Sequence, residues 1–184
     1  MKNPKKLFDK KITCLNCHTY FETKKPILSR LRIIDAETDG HKIYKENSPN
    51  LYEINVCPIC GFAFDDRLNN PLYEEDIKKL LSYFQTVKNF EQYCQERTIQ
   101  DAIRISKLAL YIATTIEEPK TLRGVQYLKT SWLYREINDR ENEEMYLKKS
   151  KEFFEDAFEN EDFEYFGLRL HVLYNILSET CRKL

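Results

Sequence analysis

The sequence predicts an α+β protein: a small cysteine-stapled β module over residues 1–69, then an all-α stack of helices over residues 70–184. Three observations carry that prediction. Four of the six cysteines stand in two C-x-x-C pairs, both before residue 66. Residues 52–56, Tyr-Glu-Ile-Asn-Val, alternate apolar and polar as a half-buried strand does. Beyond residue 70 the apolar residues recur at helical spacing.

Composition bounds the rest. The 184 residues are 42% hydrophobic and 32% charged, with a net charge of −1. That is a folded, globular profile without a global basic field. The charge is uneven. Lys2, Lys5, Lys6, Lys10, Lys11, Lys24, Lys25, Arg30 and Arg32 crowd the first 34 residues, while residues 138–165 are strongly acidic. The acidic segment reads as a solvated helix face. The start, "MKNPKKLFDKKITC", has no apolar core behind its basic residues, so it is not a signal peptide. The longest mostly apolar run, "LALYIATTI" (108–116), is too short to span a bilayer. The expected location is the cytoplasm, where thiols stay reduced and cysteines serve metal rather than disulfides.

Along the chain, "ILSRLRII" (27–34) is a second strand candidate, and "ETDGHKIYKENSPN" (37–50) reads as loop. "RLNNPLYEED" (67–76) marks the boundary, with Asn70 capping a helix that has Pro71 in its first turn. The next helix is apolar on two faces. Ile99, Ala102, Ile103, Ser106, Ala109, Leu110 and Ala113 trace one; Ile105, Leu108 and Ile112 trace the other. Such a helix is sandwiched between neighbours. Glu118-Pro119 starts a helix over 119–137, Asn138-Asp139 ends it and caps another over 140–159, and Asn160 to Asp162 precede a last one over 163–182. A repeat at an offset of 44 aligns Ser106, Lys107 and Ala113 with Ser150, Lys151 and Ala157. It also aligns Leu128, Trp132 and Leu133 with Val172, Ile176 and Leu177. Stacked helix pairs of this kind build a solenoid.

Cys14, Cys17, Cys57 and Cys60 supply four thiolates, the ligand set of a closed tetrahedral zinc site in a zinc-ribbon-like module. One zinc ion per chain is expected, with iron as the rival metal. A spacing of two lets the backbone turn tightly and aim both sulfurs inward. Gly61 suits the turn after the second pair, and His18 holds the matching place after the first as a turn residue. Thirty-nine residues separate Cys17 from Cys57, a long span for a module expected to have little core of its own. Cys94 and Cys181 read as packing or idle thiols, His41 as a loop residue, and His171 as a packed core histidine.

The run "NSPNLYEINVCPICGFAF" (47–64) resembles a segment of the uncharacterised bacterial DUF family 2225, where an Asn-Pro-rich turn and a tyrosine lead into C-P-x-C-G-Tyr/Phe-Ala. The opening "DKKITCLNCHTYFETKK" (9–25) is similar to that family's first knuckle. The helices that contain "WLYRE" are similar to its second half, which is described as related to tetratricopeptide repeats. The resemblance implies a tetratricopeptide-like helical domain and no particular activity. The chain departs from it in two places. Asn138-Asp139 stands where the repeat expects Gly-Asp, and the chain stops at Leu184 where relatives continue into another helix.

The function expected from this reading is a non-catalytic interaction protein, with Trp132, Tyr134 and Tyr127 meeting a peptide or protein partner. Other helix aromatics, such as Tyr165 and Tyr174, read mostly as core. The alternative is a nucleic-acid-associated protein that uses Lys10, Lys11, Lys24, Lys25, Arg30 and Arg32. An enzyme is the least supported class. The chain has no phosphate-cradling glycine loop, no G-x-S-x-G and no H-E-x-x-H. The sequence does not fix the oligomeric state.

Overall fold

The computed structural model of the chain describes residues 6–46, 48–67, 72–86, 90–160 and 167–184. Lys2, Lys5, Tyr165, the Asn70–Pro71 cap and the turn at 161–162 lie outside the described residues. The fold is α+β, with small two-stranded sheets followed by helices. Strands β1 (Leu7–Thr13) and β2 (Tyr20–Pro26) pair antiparallel, as do β5 (Ile54–Val56) and β6 (Ala63–Asp65). Between them β3 (Ile33–Ala36) pairs with β4 (Lys42–Tyr44). The helices are α1 (Glu74–Thr86), α2 (Ile99–Thr115), α3 (Lys120–Glu136), α4 (Arg140–Asn160) and α5 (Leu170–Lys183).

Packing groups these elements into two units that interleave in sequence. One comprises Met1–Ile34 and Tyr44–Ile116; the other comprises Asp35–Ile43 and Glu117–Leu184. The division expected near residue 70 is therefore crossed twice. Helices α1 and α2 belong with the strands, and the tip of the β3–β4 hairpin belongs with α3, α4 and α5. Residues 35–43 of the long span between the two cysteine pairs belong to the second unit, the chain leaving the first at 35 and returning at 44.

The first unit has a substantial apolar core, contrary to the expectation of a core-poor module. Phe21, Ile54, Val56, Phe62, Phe64, Leu80, Phe90, Ile105, Ala109 and Ile112 meet there, with Cys14 and Cys57 at its edge. Strand β5 differs from the alternating pattern: Ile54, Asn55 and Val56 are all buried. Half of the Asn55 amide is satisfied: its Nδ2 donates to Asp66 Oδ1 at 2.8 Å, while its Oδ1 is buried without a hydrogen-bond partner among the described residues. The segment 27–34 is not one strand. It forms a short 3₁₀ turn over Leu28–Arg30 before β3 begins.

Helix α2 starts on a capping box. Thr98 Oγ1 accepts from the Asp101 backbone N–H, and the Asp101 carboxylate accepts from the Thr98 N–H. Ala102, Ile103, Ser106, Leu110 and Ala113 are buried along one face, and Ile105 and Ile112 along the other, as the sequence predicts. Arg97, just before the box, is buried. Its guanidinium donates to the carbonyls of Tyr93 at 2.8 Å, Leu51 at 3.2 Å and Ile54 at 2.7 Å. One planar fork thus ties a helix approach to β5.

In the second unit α3 ends on Asn138, whose φ of 59° is the left-handed C′ conformation asparagine tolerates. Asp139 then caps α4, accepting from the Asn142 N–H at 3.2 Å. Helices α3 and α4 approach closely at Gly124, where a Cβ would come within 2.8 Å of the Phe154 ring. Ser150 Oγ donates to the Gly124 carbonyl at 2.9 Å in the same place. The core holds Leu128, Trp132, Leu147, Phe154, Leu168, Leu173 and Ile176. The expected repeat holds at Ser106/Ser150 and Ala113/Ala157, all buried, but fails at Val172, which is exposed where Leu128 is buried. His171, expected in the core, is also exposed.

Candidate metal centre and a buried ionic cluster

The two C-x-x-C pairs fold into turns of the same design. Cys14 N donates to Thr19 O and His18 N to Cys14 O in the first; Cys57 N donates to Phe62 O and Gly61 N to Cys57 O in the second. The residue after each pair takes positive φ, 57° at His18 and 75° at Gly61. The first knuckle joins β1 to β2 and the second joins β5 to β6, so each sheet presents one turn. The four sulfurs lie within 4.8 Å of one another. Cys14–Cys60 and Cys17–Cys57 are each 3.6 Å apart.

Those distances fit a tetrahedral metal. Zinc–sulfur bonds of about 2.3 Å set tetrahedral sulfurs about 3.8 Å apart. The thiols also oppose one another when no cation is present. Hydrogen bonds from Cys14 and then Cys60 pull the Cys57 thiol down, while the bonds to Cys57 and Cys60 push Cys14 far up. Thiols this close cannot all ionise without a positive centre among them. Cys14 and Cys57 are buried, Cys60 is partly covered and Cys17 is exposed. All four sequence-predicted ligands therefore meet. Cys94 stays apart as a buried thiol 3.5 Å from the Val56 carbonyl, and Cys181 is exposed on α5.

The two turn residues differ in how much change they tolerate. A Cβ at Gly61 would sit 2.2 Å from Phe90 Cε2, inside the core. We expect Gly61→Ala to destabilise the unit by about 1–3 kcal/mol through overlap and about 1–2 kcal/mol through left-handed backbone. His18→Gly, at an exposed site with the same left-handed backbone, should be neutral or stabilising by up to about 1 kcal/mol, the relief of strain being partly offset by the freer unfolded chain. Thermal unfolding of both variants checks this; equal effects would show that the knuckles do not differ in packing.

The basic residues around the first knuckle are largely paired. Lys10 Nζ lies 2.9 Å from Asp66, and Lys24 Nζ lies 2.6 Å from Asp9. Lys25 is buried, donating to the Tyr52 carbonyl at 2.6 Å and facing Asp66 at 3.3 Å. Burial lowers its pKa despite that carboxylate. Lys11 stands opposite Glu22 in the β1–β2 register. Arg30 and Arg32 are exposed.

The aromatics expected at a partner face are packed inside the second unit. Trp132 and Tyr134 are buried. Tyr127 is half-buried, stacked on Phe153 with ring centroids 5.2 Å apart. Trp132 belongs to a cluster that sequence reasoning missed. Its Nε1 donates to Asp39 Oδ2 at 3.2 Å, and its ring stacks on His41 at 5.2 Å. Asp39 is 3% exposed and His41 1%. Asp39 lies 2.9 Å from Arg135 and 3.4 Å from Lys183. His41 Nδ1 is 3.1 Å from Glu37 and Nε2 3.1 Å from Glu136. Arg135 also binds Glu37 and reaches Glu143 at 2.5 Å. Burial tends to raise the Asp39 carboxyl, but the Arg135 hydrogen bond and charge more than offset it and hold it below its ordinary value. The only local signal was a polar hairpin tip, Thr38 to His41, which also fits an ordinary loop.

Fold and site together define an α+β protein with a four-cysteine cluster able to hold a metal ion. The chain belongs to the family described as "Uncharacterized protein conserved in bacteria (DUF2225)", whose model matches residues 7–184. No curated protein and no solved structure matches the chain. Among the described residues, no helix is long and apolar enough to cross a membrane.

Proposed function

We propose that this chain is a non-catalytic, zinc-binding cytoplasmic scaffold whose tetratricopeptide-like helices hold a protein or peptide partner. The observation that carries the reading is the four-sulfur cluster. Four thiolates complete a tetrahedral shell and leave no place for a water or substrate, so the metal's task is to hold the fold. Two knuckles of thiolate alone favour zinc over harder cations. The consecutive packing of α3 on α4 and α4 on α5 supports a repeat-like array. With Trp132 and Tyr134 buried, the partner face moves to α5, where Leu170 and Tyr174 are exposed one turn apart and Tyr174 lies against Phe158 of α4. The pairing of Lys10, Lys24 and Lys25 with acids weighs against the nucleic-acid alternative.

Elemental analysis of purified protein tests the metal, with one zinc per chain expected and stoichiometric iron as the overturning result. Binding separates the partner classes. Capture of a partner from the source cell should be lost in Leu170→Ala/Tyr174→Ala and kept in Lys10→Glu/Lys11→Glu. Short single- and double-stranded oligonucleotides should not bind even at low salt. Affinity for them that falls steeply with salt and vanishes in the lysine variant would replace the scaffold reading.

A further inference from the structure

The four sulfurs are not equivalent. Cys14 and Cys57 are closed off by the core, whereas Cys17 is exposed on the outer side of the first knuckle. Its Sγ lies 3.2 Å from Thr19 Oγ1, a polar neighbour rather than an apolar lid. Cys57 of the other knuckle lies 3.6 Å from the Cys17 sulfur, and Cys14 is as close to Cys60. A thiolate that is accessible and has a second thiolate within bonding reach suits two-electron oxidation.

We propose that Cys17 is a modification site for small hydroperoxides, and that its oxidation closes a Cys17–Cys57 disulfide across the two knuckles. The inference rests on the metal reading above, since a cation keeps these sulfurs deprotonated at neutral pH. In the first step the Cys17 thiolate attacks one oxygen of hydrogen peroxide. The O–O bond breaks, hydroxide leaves, and Cys17 becomes a sulfenic acid. In the second, the Cys57 thiolate attacks the Cys17 sulfur, the S–O bond breaks, and a second hydroxide leaves. Two thiolates have given two electrons to one peroxide. The remaining pair, Cys14 and Cys60, offers half the original negative charge, so the site's hold on a cation falls. Attack on buried Cys14 first is disfavoured because the oxidant must pass through packed side chains.

The test uses the full chain with Cys181→Ser, which removes the exposed thiol outside the cluster. Metal content is measured first. The loaded protein is treated with equimolar hydrogen peroxide, free thiols are blocked with iodoacetamide after unfolding, and peptides are mapped by mass. The expected result is a Cys17–Cys57 cross-linked peptide as the first product, with metal appearing in a chromogenic chelator at the same rate. A Cys14–Cys60 bridge as the first product, modification of Cys94 before Cys17, or metal release with Cys17 intact overturns the proposal and leaves the metal reading standing. A preparation that takes up no metal overturns the metal reading itself, before any oxidant is added.

Discussion

Cys57→Ser is expected to abolish metal binding and to unfold α1 and α2 together with the strands, leaving α3, α4 and α5 as the residual helical signal. Cys57 is buried at the edge of the core that Leu80, Ile105, Ala109 and Ile112 complete, so the knuckle and these helices stand on shared packing. Binding of structural zinc in small fingers contributes roughly 10–16 kcal/mol. That is comparable with or above the whole stability of an ordinary domain, about 5–15 kcal/mol. The apolar core of this unit offsets part of the loss and does not replace it. Far-ultraviolet circular dichroism with metal analysis reads the result. A metal-free variant with its full helical signal would show that the core holds without the ion. Loss of the strands alone would show that α2 is independent of them.

The second large effect is expected at Asp39. Asp39→Asn keeps the shape and removes the charge that Arg135 and Lys183 face in the interior. Removing one partner of a buried ion pair costs about 3–5 kcal/mol, because the other charges stay desolvated. The melting temperature of the second unit should fall by many degrees. The pH profile gives an independent check. The Asp39 carboxyl is held below its ordinary value of 3.8, and Glu37 is held below 4.5. For Glu37, burial acts upward and the Arg135 charge wins. An acid with a depressed folded value adds stability that is fully present above its unfolded value. That stability is lost as pH falls below the unfolded value and through the folded one. The native chain should therefore lose stability steeply below about pH 4, and Asp39→Asn should flatten that slope. A variant with unchanged melting and an unchanged acid slope would remove Asp39 from the account of this unit.

How much of this was legible follows the range of the interactions. The cysteine knuckles are local: two residues of spacing and a turn residue after them specify the geometry, and all four ligands meet where the pattern says. Helix ends are local too, and Asn138 and Asp139 act as written. The hairpin tip is not. Asp39 finds Trp132 at a separation of 93 residues, and Thr38 finds Glu179 at 141. Nothing in Thr38-Asp39-Gly40-His41 says that Asp39 and His41 will be buried against helices. The same gap misplaced Trp132, which reads as a recognition aromatic until the aspartate and histidine that cover it are known. Asn55 shows the reverse error: a polar residue in a strand reads as outward facing, yet it is buried, with its amide nitrogen donating to Asp66 at the surface. In each case chain-distant pairing overrode the local pattern.

The exchange of the hairpin tip between units also orders events in time. A chain made from its N-terminus has both knuckles and α2 in hand before α3 begins. The first unit can therefore close while synthesis continues. Residues 35–43 are made early too, but their packing partners on α3 and α5 come roughly a hundred residues later. Closing so long a loop is slow, since its entropy must be overcome before any contact rewards it. Until then Asp39 and His41 remain in water, hydrated, and Arg135 has no buried acid from the hairpin to meet. Within the second unit α3 and α4 can pair locally as they are made, and the contacts that must wait are those of the hairpin tip with helices that follow it by roughly a hundred residues.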